Sequence, residues 1–220
     1  MSGMTQAIVA FLQTITDNDE LLTFLSSLIP LIELKGAIPV GVNLGLPIFS
    51  SAFYAYLGST LVAVPVFFLL IPVFGLLKKI PFVSVLVEKL EAMLKGKAAK
   101  MAQNRGGNAE QTEKRMLALG LFVFVAIPLP ITGVWTGTAI AVFLGMKFAN
   151  SFLPLAIGNL VAGLLVTLLI LAVGKDRADL ILNIVLILAA IMLVVTIIKI
   201  ATAKPEDGGT GGKGGKGGKN

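Results

Sequence analysis

Residues 21–48 read LLTFLSSLIPLIELKGAIPVGVNLGLPI, a stretch too long and too poor in charge for a soluble protein. It is interrupted by Pro30, Gly36 and Pro39. Between the first two interruptions lies Glu33, the only carboxylate in any of the long apolar runs of this chain. Proline and glycine interruptions of a hydrophobic segment indicate a transporter's binding site near the bilayer midplane. We therefore expect both the fold and the function to depend on this stretch.

A second stretch, residues 116–146, is broken in the same way. Each stretch leads directly into an uncharged run of 27 residues, at 51–77 and at 148–174. Such runs can cross a bilayer with some tilt, since a span needs about 20 residues. A third uncharged run, 180–198, is just long enough to span. The interruptions of the second stretch are Pro128, Pro130, Gly133 and Gly137.

The composition places the chain among integral membrane proteins. Hydrophobic residues make up 56% of it and charged residues 14%, whereas a soluble domain carries about 25% charged residues. The absence of Cys and His excludes disulfides, thiolate or imidazole metal sites and Cys–His or Ser–His nucleophilic chemistry. One intramembrane carboxylate also cannot supply the paired acids of a glycosidase. We therefore expect no enzyme activity, no metal and no cofactor.

The distribution of basic residues predicts the topology. Nine of the lysines and arginines lie in the connection 78–115, and five lie from Lys199 to the end. Cytoplasmic loops carry an excess of Lys and Arg. We therefore expect the chain to cross the plasma membrane several times. Both basic regions are expected on the cytoplasmic side, and the N-terminus is expected outside. If residues 116–146 crossed the bilayer completely, the basic tail would lie on the wrong side.

Each interrupted stretch also divides into arms of about a dozen residues, which reach roughly half-way through the hydrocarbon. We therefore predict re-entrant hairpins at 21–48 and 116–146, with the interrupting residues at their tips. One long kinked span is the alternative interpretation of each stretch.

A shift of 100 residues aligns the two halves of the chain. Ten residues within 21–70 are identical to those 100 positions later. Because 51–77 is expected to run inward and 148–174 outward, the two copies have opposite orientation, as in many transporters. The predicted fold is all-α: an inverted repeat of re-entrant hairpin plus transmembrane helix, with one extra C-terminal transmembrane helix. Matched pairs include Phe24 and Phe124, Pro30 and Pro130, Gly45 and Gly145, Ser51 and Ser151, and Gly58 and Gly158.

A polytopic membrane domain is expected at 17–201, between the segments 1–16 and 202–220. Residues 1–16 carry apolar side chains at helical spacing and are expected to form an amphipathic helix in the membrane interface. The basic connection 78–115 and the tail are expected to contact the anionic lipids of the inner leaflet rather than nucleic acid. The Gly-Gly-Lys repeats of 202–220 predict a disordered tail. The sequence leaves open whether the protein forms a homo-oligomer.

The charged and polar residues of the tips are the candidate site. Ionising Glu33 at membrane depth is costly, which makes it a candidate proton carrier, and a structural ion pair with Lys35 is the alternative. Thr132 is placed to cap the second arm, whose N-terminal amides would form an anion cradle with Lys35. Trp135 is expected at the tip, more for packing than for substrate contact. Candidates to line the cavity are Asn43 and Asn159, although such residues commonly form hydrogen bonds between helices.

Two motifs in these stretches carry a family resemblance. The run Glu-Leu-Lys-Gly-Ala-Ile-Pro at 33–39 and the run Pro-Leu-Pro-Ile-Thr-Gly-Val-Trp-Thr-Gly at 128–137 resemble the two signature segments of the small multidrug export family of prokaryotes. That family is similar to the DedA/VTT superfamily, whose members have paired re-entrant hairpins and are linked to lipid-phosphate translocation and proton-motive force. The resemblance therefore implies a transport function. DedA proteins have an essential arginine around their second hairpin, whereas this chain has no Arg between 116 and 176.

Together these observations predict a small secondary transporter or exporter, proton-coupled through Glu33. Its substrate is expected to be an amphipathic small molecule or a lipid-linked anion. A non-transporting scaffold or envelope-maintenance protein, in which the hairpins are only structural, is the alternative.

Overall fold

The part of the chain that the structure describes is built from α-helices. The computed structural model describes residues 9–77, 79–81, 108–129 and 132–174, with isolated positions at 84, 88, 100, 103, 180, 184, 187, 191, 194 and 195. The helices with described bounds are α1 (Asp19–Ser27), α2 (Glu33–Asn43), α3 (Ile48–Leu61), α4 (Ala63–Leu77), α5 (Ala109–Ala126), α6 (Val134–Phe143) and α7 (Phe148–Val173).

Two helical segments are long and apolar enough to cross a bilayer. Helices α3 and α4 follow one another through Val62 and form the segment Ile48–Leu77, and α7 forms the segment Phe148–Val173. Neither contains a charged residue, and both exceed the length of about 20 residues that a span requires. With the composition, these segments make the chain a helical membrane protein.

Each interrupted stretch forms two helices separated by a short break. Residues 28–32 separate α1 from α2, and residues 127–133 separate α5 from α6. The first helix of each stretch begins at an Asn cap. Asn18 Oδ1 accepts from Leu21 N and Asn108 Oδ1 accepts from Glu110 N, each at 2.9 Å. The cap at Asn108 starts α5 several residues before the apolar sequence begins.

Two apolar clusters form most of the core of the described residues. In the first, Leu34 and Ile38 of α2 lie in one buried cluster with Ala55 of α3 and Ala162 and Ile170 of α7. The second is formed by α4, α5, α6 and α7, and its fully buried members are Ala63, Val125, Val134, Ala141 and Leu155. Helix α7 contributes to both clusters, so it joins the two interrupted stretches to one core.

Positions 100 residues apart adopt matching local structures. Gly45 and Gly145 follow α2 and α6 with φ values of 101° and 67°, the left-handed conformation that commonly ends a helix. Ser51 and Ser151 are both buried and donate to the carbonyl four residues earlier. A Cβ on Gly58 would lie 2.5 Å from Phe24 O. The equivalent Cβ on Gly158 would lie 2.7 Å from Phe122 O, so both glycines permit close packing of helices.

A buried polar cluster joins α3 to α7. Asn159 Nδ2 donates to Thr60 Oγ1 at 2.9 Å and to Ser59 Oγ at 3.2 Å, and Asn159 is only 2% exposed. This is the interhelical hydrogen bonding that the sequence left open as the alternative to a cavity-lining role. The expected cavity-lining residue therefore lies in a closed helix–helix contact.

We expect Asn159→Ala to destabilise the protein by about 1–2 kcal/mol, because it leaves the buried hydroxyls of Ser59 and Thr60 without their partner. Unfolding in mixed micelles of dodecyl maltoside and SDS measures the change. Asn150→Ala is the matched control, since Asn150 is an exposed asparagine of the same helix. Equal unfolding curves for the two variants would show that the cluster contributes nothing to stability.

Several sequence-based predictions lie partly or wholly outside the described residues. These are the spanning helix 180–198, most of the basic connection 78–115 and the tail 202–220. Of the predicted amphipathic helix at 1–16, the structure describes residues 9–16, of which 9–13 are helical. Its position in the membrane interface stays a prediction.

Candidate functional site

The first break presents two charged side chains from the start of α2. Glu33 is the first residue of α2 and Lys35 follows in the same turn; they are 6% and 3% exposed. Glu33 has φ of 47°, in the left-handed region that a non-glycine residue rarely adopts. Such a conformation costs about 1–2 kcal/mol, and strained residues of this kind cluster at functional sites.

Lys35 reaches across to the second break. Its Nζ donates to Leu129 O at 2.5 Å and to Thr132 Oγ1 at 3.2 Å. Both acceptors are neutral. Within the described residues, the nitrogen–oxygen distance is within 4 Å for the ion pair Glu110–Lys114. Lys35 and Glu33 do not approach each other this closely, so they form no direct ion pair. The ammonium is therefore solvated by the other break rather than by a carboxylate.

Glu33 makes the complementary contact with the start of α6. Trp135 N donates to Glu33 Oε1 at 3.3 Å, and the carboxylate lies against Gly133, where any Cβ would overlap it. Gly133 is the N-cap of α6 and provides no side-chain cap. Because the N-terminus of a helix carries free N–H groups and a positive dipole end, it stabilises an anion. Glu33 therefore caps α6 from another part of the chain.

Trp135 ties the two breaks together a second time. Its indole Nε1 donates to Leu28 O, the C-cap of α1, at 3.1 Å. The sequence placed Trp135 at the tip, where packing was the favoured interpretation. In the structure its side chain and its main chain both bond to the first break.

Thr132 does not cap α6, which corrects the expectation from sequence. Its Oγ1 lies 2.7 Å from Ile127 O and 2.8 Å from Leu129 O, to which it donates, and it accepts from Lys35. Ile127 is the C-cap of α5 and Leu129 lies in the second break, so the hydroxyl binds the carbonyls that follow α5 and not the start of α6. Thr132 is nevertheless part of the site, through Lys35.

Three residues expected at the tips lie inside helices instead. Gly36 and Pro39 are buried within α2, and Gly137 is buried within α6. Gly36 N donates to Ile32 O at 2.8 Å, so the glycine continues the helix. A Cβ on Gly137 would lie 2.7 Å from side-chain atoms of both Leu155 and Val125. Close helix packing, rather than a turn, is therefore the reason for small residues here.

The other predicted residues fall in different places. Pro30 and Pro128 lie in the two breaks, whereas Pro130 lies outside the described residues. Asn43 is the last residue of α2, at the opposite end of that helix from Glu33. Sequence reasoning missed the main-chain acceptors Leu28 O and Leu129 O, for which no side-chain signal exists.

A cleft of about 200 Å³ lies where the second interrupted stretch begins and ends. It is lined by the start of α5, through Glu110, Glu113 and Lys114, and by residues that follow α6, including Lys147. Lys114 Nζ donates to Glu110 Oε1 at 2.6 Å, which holds the pKa of Glu110 below its ordinary value. The two ends of the stretch therefore lie side by side.

The site offers charge and hydrogen bonds but no metal ligands. Within the described ranges, no group of three or more Asp, Glu, His or Cys side chains could hold a metal ion. The chemistry available to Glu33 and Lys35 is proton binding and the binding of charged groups.

Residues 33–165 match the family model described as "Putative small multi-drug export protein". The matched region begins at Glu33, directly after the first break, and includes the second break, residues 127–133. No curated protein and no solved structure matches the chain.

Proposed function

Since the chain belongs to the small multi-drug export family, we propose that it is a small secondary transporter driven by protons. Glu33 is the proton carrier, and the substrate, an amphipathic small molecule or a lipid-linked anion, binds where the two breaks meet. The observation that carries this proposal is the pair of buried charges, Glu33 and Lys35, each bonded to the opposite break. Ionisable residues at membrane depth are costly and mark substrate or proton pathways.

Two re-entrant hairpins, related as an inverted repeat, give these breaks their place near the bilayer midplane. The shared cleft at the ends of the second stretch supports a return to the same side. For the first stretch, Tyr54 OH donates to Glu20 Oε2 at 2.8 Å, which joins the start of α1 to α3. The matching conformations of Gly45 and Gly145 support the repeat.

The proposed orientation in the plasma membrane follows from the basic residues. The connection 78–115 and the tail are cytoplasmic, so the cleft beside Lys147 also faces the cytoplasm. The N-terminus and the start of α1 then face outward. In this arrangement the hairpins enter from opposite sides, and the site is reached alternately by movement of one repeat against the other.

Vesicles that contain the purified protein and a pH-sensitive dye test the proposal. With a pH gradient imposed, we expect proton movement that depends on substrate and that Glu33→Gln abolishes, because an amide cannot carry a proton. Glu20→Gln is the matched control, since Glu20 is exposed and its amide can still accept from Tyr54.

Proton movement that survives Glu33→Gln would exclude Glu33 as the carrier. No movement with any member of a panel of amphipathic cations, amphipathic anions and lipid phosphates would favour the scaffold function instead.

A further inference from the structure

Glu33 and Lys35 are the buried charged residues in the described part of the chain, and their charges sum to zero. Apart from Glu33 and Lys35, residues 21–77 contain no acidic or basic side chain, and neither do α6 and α7. The acidic residues of α1, Asp19 and Glu20, lie in its first turn, at the end of the helix away from the first break. The charge of the site is therefore set by the protonation of these two residues.

Protonation of Glu33 leaves the ammonium of Lys35 without a compensating charge. Its two hydrogen-bond partners, Leu129 O and Thr132 Oγ1, are neutral. An uncompensated charge in a buried position costs several kcal/mol. A bound anion would remove that cost, whereas a bound cation would add to it.

The start of α6 already binds a negatively charged group. The start of α6 receives the Glu33 carboxylate on Trp135 N and against the bare Cα of Gly133. In the described part of the chain, the two buried side-chain oxygens without a hydrogen-bond partner are Ser26 Oγ and Thr138 Oγ1. Ser26 is the last residue but one of α1, and Thr138 lies in α6, five residues after Gly133. Each hydroxyl is a donor that has no acceptor among the described residues.

We infer that the site binds a monoanionic headgroup together with one proton, and that this anion replaces the Glu33 carboxylate at the start of α6. The empty state, with carboxylate and ammonium, is neutral. The loaded state, with carboxylic acid, ammonium and anion, is also neutral. Transport of this pair is therefore electroneutral, and proton and anion move in the same direction. The inference rests on the proposed function and specifies its substrate class.

The fluorescence of Trp135 provides a direct binding test, because Trp135 is the only tryptophan. The probe is 1-hexanesulfonate, added to the full chain in phosphatidylcholine vesicles. If one proton binds with each anion, the apparent Kd falls up to tenfold for each unit by which the pH is lowered. Glu33→Gln is expected to make the Kd independent of pH, and Glu20→Gln to keep the wild-type slope. A wild-type Kd that does not change with pH would overturn the inference.

Transport by the wild-type protein gives a second test that needs no variant. An inward gradient of hexanesulfonate is expected to acidify the vesicle interior at a rate that a potassium–valinomycin voltage clamp leaves unchanged. The matched cation, hexyltrimethylammonium, is expected to move no protons. If the cation instead drives protons outward, the inference is overturned while the proton-coupled transporter stands. No proton movement with either probe would overturn both.

The same measurements distinguish a soluble anion from a lipid headgroup. If the natural occupant is a lipid headgroup, phosphatidylglycerol in the vesicles should produce the acid-dependent change in Trp135 fluorescence without added hexanesulfonate. If it is soluble, phosphatidylglycerol should leave the signal unchanged and hexanesulfonate should produce it. Absence of the change with both anions would contradict the inference.

Discussion

Removing either buried charge of the site alone should destabilise the protein by about 3 kcal/mol, because the remaining charge is left buried and uncompensated. Glu33→Gln leaves the Lys35 ammonium with neutral partners only, and Lys35→Met leaves the Glu33 carboxylate with the start of α6 alone. The double variant Glu33→Gln/Lys35→Met leaves no charge, so it should lose less stability than either single variant. Unfolding in mixed SDS micelles measures all three.

The exposed pair Glu110–Lys114 provides the matched control. These residues form an i,i+4 ion pair at 2.6 Å with both side chains largely exposed. Neutralising one or both should leave the unfolding midpoint unchanged, since water solvates whichever charge remains. If the effects of Glu33→Gln and Lys35→Met simply add in the double variant, the two charges are not coupled and the charge balance described above is wrong.

Gly133→Ala should be the most damaging single-methyl change in the described part of the site. The new Cβ would occupy the space that the Glu33 carboxylate fills. The carboxylate must then leave Trp135 N, and both the cap of α6 and the contact between the breaks are lost. We expect a loss of about 3 kcal/mol, as for other buried charges that lose their partner, together with loss of substrate-dependent proton movement.

Gly120→Ala separates this effect from the general effect of replacing glycine. Gly120 lies in α5 with open space around it, so a Cβ meets nothing within 4 Å. There alanine should stabilise the helix by up to about 1 kcal/mol. Wild-type stability of Gly133→Ala would show that the carboxylate does not lie against Gly133.

Local chemistry made part of this arrangement predictable. Pro30 and Pro128 lie in the breaks because proline cannot donate a helical hydrogen bond. Glu33 and Lys35 could be assigned to the site because a charge within an apolar run must find a partner or function. The 100-residue shift found Gly45 and Gly145, whose left-handed conformations depend only on neighbouring residues.

The rest depended on contacts that no local pattern specifies. Gly36 and Pro39 are buried within α2, and Gly137 packs within α6 against Leu155 and Val125, so these three residues lie in helices and not at the tips that the sequence predicted. Thr132 donates to the carbonyls that follow α5. Lys35, which lies 97 positions before Thr132 in the chain, binds at the same place. The cap of α6 comes from Glu33, 102 positions before Trp135, and local capping rules consider only neighbouring side chains.

We propose that each interrupted stretch returns to the side of the membrane from which it enters, so that the two breaks meet. Single cysteines at Gln111 and Lys147 test it most directly, because both residues are exposed and the chain has no cysteine of its own. A membrane-impermeant maleimide should label both from the cytoplasmic side, and a third cysteine at Asp17 from the opposite side. Labelling of Gln111→Cys and Lys147→Cys from opposite sides would show that residues 116–146 cross the membrane, which contradicts the account.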